Sequence, residues 1–352
     1  MLERPKRSAP RVLPNSFIGE ATVRRHQWLK HPMWLALLLL WGISAGHAES
    51  VRIAYPSTAV VFLPLWAASD AGFFKRQDLS VELVSIRSSP VAMTALLSGE
   101  VDMVVGGANP GIALQLQGYK DVAIFAGLIN RFLFSIYAQP DIKQLVGLKG
   151  KRLGVTRFGG SNDFAGRYYL RQHGIDVTKD LTIVQIGSQD DILRALLARN
   201  LDAAVLGYPS VYVAKKNGLR ALADLAQSGL RYQLTAFVAK RSFLTAKEAL
   251  VLRLLKSLAQ SIHFLRTRPK EGMAIARRHA RINDPEILAA AYDLHVRLYP
   301  RLPLIDAEDL KLVLEEIALM NPKGKDAVPA AFIDDRIGRE LAKSGFVEQL
   351  YR

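Results

Sequence analysis

Short apolar or alternating runs, each followed by an amphipathic stretch of helical length, set the rhythm of this chain from residue 50 to about residue 207. "VRIAY" (51–55) reads as a strand ended by Pro56, and "LPLWAASDAGFFK" (63–75) as a helix closing near Lys75. A strand over 79–86 leads to a helix that stops at Gly99. "VDMVV" (101–105) then has the continuous apolar character of a buried strand and runs into "GGANPG". Pro110 is acceptable there, because the first turn of a helix needs no amide from it.

The same pattern returns one hundred residues later. "VELVSIRSSPVAMTALLSGEVDMVVGG" (81–107) aligns without a gap on "LTIVQIGSQDDILRALLARNLDAAVLG" (181–207), matching Val84 with Val184, Ser88 with Ser188, Ala95-Leu96-Leu97 with Ala195-Leu196-Leu197 and Asp102 with Asp202. Upstream, "VRIAY" faces "KRLGV" (151–155) in the same frame. Two copies of a strand-helix-strand-helix-strand unit predict an α/β protein of two lobes, each built on a largely parallel sheet. Two further runs of strand character, "RFLFSIYAQP" (131–140) and "YQLTAFVAK" (232–240), leave the first lobe and return to it. A double crossing of this kind is a hinge. After residue 240 the period lengthens to that of amphipathic helices, over 246–268, 270–280, 284–298 and 306–320 with a helical tail, expected to pack on the first lobe. The expected organisation is lobe 1 from 49–138 and 238–352, with lobe 2 from 139–237.

The N-terminus changes the picture of where this happens. An apolar run of eleven, "MWLALLLLWGI" (33–43), follows Arg24, Arg25 and Lys30 and precedes the small residues Gly46 and Ala48. That order predicts a secretory signal peptide over 1–48 cleaved after Ala48, the run being far shorter than a spanning helix needs. The chain has no cysteine, which excludes disulfides, thiolate metal sites, a cysteine nucleophile and a lipid-modified N-terminal cysteine. An exported chain without lipid or span is expected in a periplasm. Net charge is +15, but residues 1–48 hold seven Lys/Arg against two Asp/Glu, leaving 40 against 30 afterwards. No dense basic run interleaved with aromatics follows residue 50, so no nucleic-acid partner is expected.

In open parallel sheets, ligands collect at the carboxyl ends of strands beside helix N-termini, and both copies should aim those ends at one gap. The loops nominated in this way are "PSTAVVF", with Ser57, Thr58 and Phe62; Ser88-Ser89; and Gly107-Ala108-Asn109 at a helix start. From the second copy come Thr156, Arg157, Gly159, Gly160, Ser161 and Asn162, then Ser188 and Gln189, then Tyr208. Gly159 and Gly160 let backbone amides approach a ligand closely. Ser161, Ser188 and Asn109 have helix capping as the competing explanation, and Ser188 with Asp191 has the spacing of a capping box. Arg157 could hold a carboxylate, sulfonate or phosphonate in a two-pronged bond of about 1.5–3 kcal/mol, against about 0.3–1 kcal/mol for a helix end alone. Arg131 falls near the hinge or the cleft rim. A neutral ring stacked on Phe62, Phe158 or Tyr208 is the competing pocket.

Five stretches together carry a resemblance: "LPLWAASDAGFFKRQDLSVELV" (63–84), "LLSGEVDMVVGG" (96–107), "GLINRFLFSIYAQPDI" (127–142), "LKGKRLGVTRFGGSNDFAGRYYLRQHGI" (148–175) and "LDAAVLGYPSVYVAKKNGLRALADL" (201–225). In their order and spacing the chain resembles the periplasmic solute-binding proteins of nitrate, taurine and alkanesulfonate importers, whose fold is shared with thiamine-pyrimidine precursor proteins. The resemblance implies a type 2 periplasmic binding fold and capture of a small organic or oxyanionic solute between two lobes. It also implies delivery to an ABC importer permease and, indirectly, its ATPase, by a monomer without cofactor or metal. It points to the same loops as the strand-end rule. Catalytic signatures are missing: "GVTRFGGSNDFAGRYYL" (154–170) lacks the Gly-Lys-Ser/Thr ending of a phosphate-binding loop. His173, His263, His279 and His295 lie in helical stretches without metal-ligand spacing or a Gly-x-Ser-x-Gly elbow. The alternative within the fold is a pyrimidine-precursor-binding protein, or a fungal synthase-like enzyme whose cysteine-rich iron site this chain lacks.

Overall fold

A computed structural model describes residues 49–318 and 321–352; the expected signal peptide and its cleavage point lie outside the described residues. In chain order, β1 (Glu49–Tyr55), α1 (Leu63–Asp70), β2 (Leu79–Ser85), α2 (Ser89–Ser98), β3 (Met103–Gly106), α3 (Ala108–Leu116) and β4 (Val122–Ile129) form the first run. The chain then crosses into β5 (Phe134–Ala138), β6 (Arg152–Val155), α4 (Ser161–Gln172), β7 (Thr182–Gln185), α5 (Gln189–Leu197), β8 (Ala203–Gly207), α6 (Ser210–Lys216) and β9 (Arg220–Asp224). It returns through β10 (Thr235–Lys240) to α7 (Arg241–Ala246), α8 (Glu248–Thr267), α9 (Pro269–Ala280), α10 (Pro285–Leu298), α11 (Lys311–Ala318), α12 (Arg336–Lys343) and α13 (Phe346–Leu350).

Two five-stranded sheets result, ordered β2-β1-β3-β10-β4 and β7-β6-β8-β5-β9. They are one topology used twice. In each, the first copied strand pairs in parallel with its two neighbours, and a strand fresh from a crossing inserts antiparallel at the fourth place. Pairing puts β5 wholly in the second sheet and β10 wholly in the first, so residues 134–138 sit with the second lobe and 235–237 with the first. Between the two crossings Phe132 stacks on Tyr232 with ring centroids 4.0 Å apart, both buried.

The hundred-residue offset extends to single hydrogen bonds. Asp102 accepts the Arg52 backbone N–H at 2.8 Å and meets its guanidinium at 3.1 Å; Asp202 accepts the Arg152 N–H at 2.8 Å and meets that side chain at 3.0 Å. The arginines then donate to the carbonyls of Gly99 and Arg199, the helix-ending residues held at φ +79° and +59°. Each tie locks the entry of the third copied strand onto the first.

The first six residues of α1 are apolar and buried; Trp66 among them is fully buried and stacks on His279 of α9 at 5.0 Å. α8 places Leu254, Leu258, Ile262 and Leu265 along one buried stripe against α1, each contributing about 1.5–3 kcal/mol by leaving water. α11 packs on α3 and α12 on β4, so the C-terminal helices complete the first lobe. Among the described residues no helix is long and apolar enough to cross a membrane.

Candidate functional site

The strand ends of both sheets open onto one cavity of about 120 Å³, bounded by the β1–α1 loop, the starts of α2, α4 and α5, the ends of β3 and β8, and α10. That space is close to the roughly 150 Å³ that holds a benzene ring in an engineered cavity. It suits a solute of one ring or a short chain.

The two lobes build corresponding corners with different residues. Ser89 Oγ at the start of α2 accepts the Gly107 N–H at 2.9 Å, and Gln189 Oε1 at the start of α5 accepts the Gly207 N–H at 2.9 Å. Ser88 and Ser188, aligned in sequence, do different work. Ser188 caps α5 in a reciprocal box with Asp191, whose carboxyl is held below its ordinary range chiefly by the Ser188 hydroxyl. In that lobe Gly187 absorbs the turn at φ +126°. In the first lobe Ser88 itself takes φ +68° and ψ 147°, makes no cap, and leaves its buried Oγ without a partner on the cavity wall. A non-glycine residue in that region stores about 1–3 kcal/mol of strain.

Most other polar groups of the wall are already satisfied. Thr156 donates to Asn162 Oδ1 at 2.7 Å, and Asn162 Nδ2 donates to the Val205 carbonyl at 3.3 Å. Among the described residues no Asp, Glu, Lys or Arg lines the cavity. Of its two titratable side chains, Tyr208 is pushed up to about 12 and His295 down to about 4, both chiefly by burial, so the wall is uncharged at neutral pH. Helix starts add only partial charge, and α4 and α5 already carry Asp163 and Asp191 in their first turns.

Of the expected site residues, Ser57, Phe62, Ser89, Gly160, Ser161, Gln189 and Tyr208 lie on the cavity wall. Thr58, Asn109, Arg157 and Gly159 do not. Asn109 and Gly159 meet each other instead, the Asn109 amide donating to the Gly159 carbonyl at 2.8 Å across the gap. Next to them Gly107 passes so close to Ser161 that a Cβ would overlap its hydroxyl. Arg157 is half-buried with its Nε unpartnered, Arg131 is exposed, and Phe158 is exposed under the Arg167 guanidinium. Sequence reasoning passed over His295, Leu133, Phe134 and Thr235 as wall residues. The crossing strands and α10 thus reach the cavity as well as joining the lobes or packing on the first one.

Two contacts tie the second lobe to the C-terminal helices. Arg171 of α4 pairs with Glu316 of α11, and Lys216 of α6 pairs with Asp284 at the start of α10 and, at 3.3 Å, with Glu286. With Asn109–Gly159 they hold the lobes together around the cavity.

Comparison with known proteins agrees with this architecture. YtlA of Bacillus subtilis (strain 168), provisionally named a binding protein, is 24% identical over 289 residues, covering 79% of this chain and 86% of YtlA. A solved protein of Bordetella bronchiseptica RB50 superposes with a TM-score of 0.75 at 20% identity, covering 84% of this chain and 97% of that one. The alkanesulfonate-binding protein SsuA of Xanthomonas axonopodis pv. citri, solved with MOPS bound, gives a TM-score of 0.68 at 19% identity over 81% of this chain and 98% of its own. These likenesses show the two-lobe periplasmic binding fold. A family model described as NMT1/THI5 like matches residues 59–272, more than half of the chain, and the chain belongs to that family.

Proposed function

We propose that this protein is an extracytoplasmic solute-binding protein that captures a small organic solute between its lobes and presents it, as a monomer, to the permease of an ABC importer. The observation that carries the reading is a small cavity walled by both lobes, with interlobe contacts on its flanks. A solute touching both walls favours the closed form by its differential affinity, and a closed form is what a permease would distinguish. The signal peptide proposed over residues 1–48 would deliver the chain to the periplasm. The alkanesulfonate-binding protein SsuA, of the same fold, is solved bound to MOPS.

The uncharged wall favours a neutral solute with polar edges. An oxyanion is the second reading, favoured by the start of α2, which has neither an acidic residue in its first turn nor a side-chain cap. The test is mass spectrometry of the compound that co-purifies with the exported protein, followed by calorimetry with sulfonates, carboxylates, nitrate and pyrimidines. Stoichiometric binding of an unaltered compound is expected; conversion to a product would replace the receptor with an enzyme.

A further inference from the structure

His295 is the wall residue whose chemistry the fold leaves most open. It stands on α10, is 1% exposed, and turns Nδ1 back to the Ala291 carbonyl of its own helix at 2.7 Å. A carbonyl only accepts, so Nδ1 carries the hydrogen. In a neutral imidazole the other nitrogen, Nε2, then carries no hydrogen and can only accept. The ring lies on the cavity wall with Tyr208 edge-on at 6.4 Å between centroids. Among the described residues no carboxylate lines that wall to hold a second proton on the ring, and the burial that lowers its pKa to about 4 acts the same way. On the same cavity wall, from the first lobe as α10 is, stands the unpartnered Ser88 hydroxyl, held there by a strained backbone.

From these we infer that His295 is a specificity residue whose bare Nε2 accepts a hydrogen bond from the solute, so that the cavity selects an uncharged N–H or O–H bearing compound of about one ring, with Ser88 Oγ as a second polar contact. The inference rests on the solute-binding reading and names the chemistry of its ligand. A nitrate or fully ionised sulfonate has no hydrogen to give and would set its lone pairs against those of Nε2. A ring amine, amide or hydroxyl satisfies it. A site built around a buried acceptor rejects compounds without the matching donor, because binding them leaves the acceptor desolvated and unpaired.

Two measurements test this on the whole protein without its signal peptide. Nitrogen-15 NMR of histidine-labelled protein, with His295 assigned from the His295→Gln spectrum, should show a protonated Nδ1 and a bare Nε2 at neutral pH; a protonated Nε2 overturns the inference. Calorimetry should then compare 2-aminopyrimidine, cytosine and nicotinamide with their N-methylated counterparts, and with nitrate and methanesulfonate. Expected is a preference of tenfold or more for the N–H form of at least one compound, collapsing to within twofold in His295→Leu and retained in His295→Gln, which keeps an acceptor. Thermal melting of both variants confirms that they fold. Equal binding of the methylated and parent forms, tighter binding of the oxyanions, or an undiminished preference in folded His295→Leu overturns the inference while leaving the receptor intact. Failure of every compound to bind, or its chemical conversion, overturns the solute-binding reading itself.

Discussion

At residue scale, Arg157 and Ser88 show how local placement decides a role that residue type alone suggests. A guanidinium beside Gly-Gly-Ser reads as an anion clamp, yet Arg157 is off the cavity wall. Arg157→Ala is therefore expected to leave solute affinity within about twofold by calorimetry, whereas loss of a charged hydrogen bond of about 1.5–3 kcal/mol would weaken it about tenfold or more. Ser88 aligns with the capping Ser188, but it takes a positive φ and makes no cap. Ser88→Gly should relieve about 1–3 kcal/mol of backbone strain and raise the thermal midpoint by a few degrees. The same change should weaken solute binding about two- to tenfold, as expected for a lost hydrogen bond of about 0.5–1.5 kcal/mol. Opposite signs in melting and binding are the diagnostic; a fall in both would mean that the serine stabilises the fold.

At the scale of elements, the aligned copies were legible because period and punctuation agree. Apolar runs, proline after β1, Gly99 after α2 and the matched Asp102 and Asp202 fix strand, helix and strand in one frame, and both Arg–Asp ties follow. The predicted helix over 63–75 ends early, at Asp70, because Ala71 and Gly72 leave helical geometry before a short 3-10 turn at Lys75–Gln77. The predicted helix over 246–268 is α8, and a shorter helix that the period does not announce, α7, precedes it, the two parted at Lys247. The capping box at Ser188 was also readable and carries a pH consequence. The carboxyl of Asp191 has a folded-state pKa below its unfolded value, so its contribution to stability is present above the ordinary carboxylate range and is lost as pH falls through the depressed value. Ser188→Ala should cost about 0.5–2 kcal/mol at neutral pH, and its deficit against the parent should shrink in denaturant titrations at progressively lower pH.

For the whole molecule, what the sequence could not disclose is which distant residues meet. Nothing in the spacing of His295, 87 residues beyond Tyr208, brings it to the same cavity; only the docking of α10 on the first lobe does. The same holds for Lys216 with Asp284 and for Arg171 with Glu316. Lys216 and Asp284 are about half and one-third exposed, so their pair is worth about 0.2–1 kcal/mol. Lys216→Ala should therefore weaken solute binding about 1.5- to fivefold at low salt and less at high salt, measured by calorimetry at two ionic strengths. An effect that is large and independent of salt would mean that the lysine packs rather than pairs. A different consequence lies in the register of β4 and β10, where Ile129 stands opposite Thr235 on adjacent antiparallel strands. Everything from 130 to 234 hangs from what would otherwise be the turn of a hairpin, and its own first and last strands, β5 and β9, are likewise side by side. The second lobe is thus a cassette with neighbouring ends. Splicing in the equivalent segment of a relative should exchange half the recognition surface while leaving the host sheet unbroken.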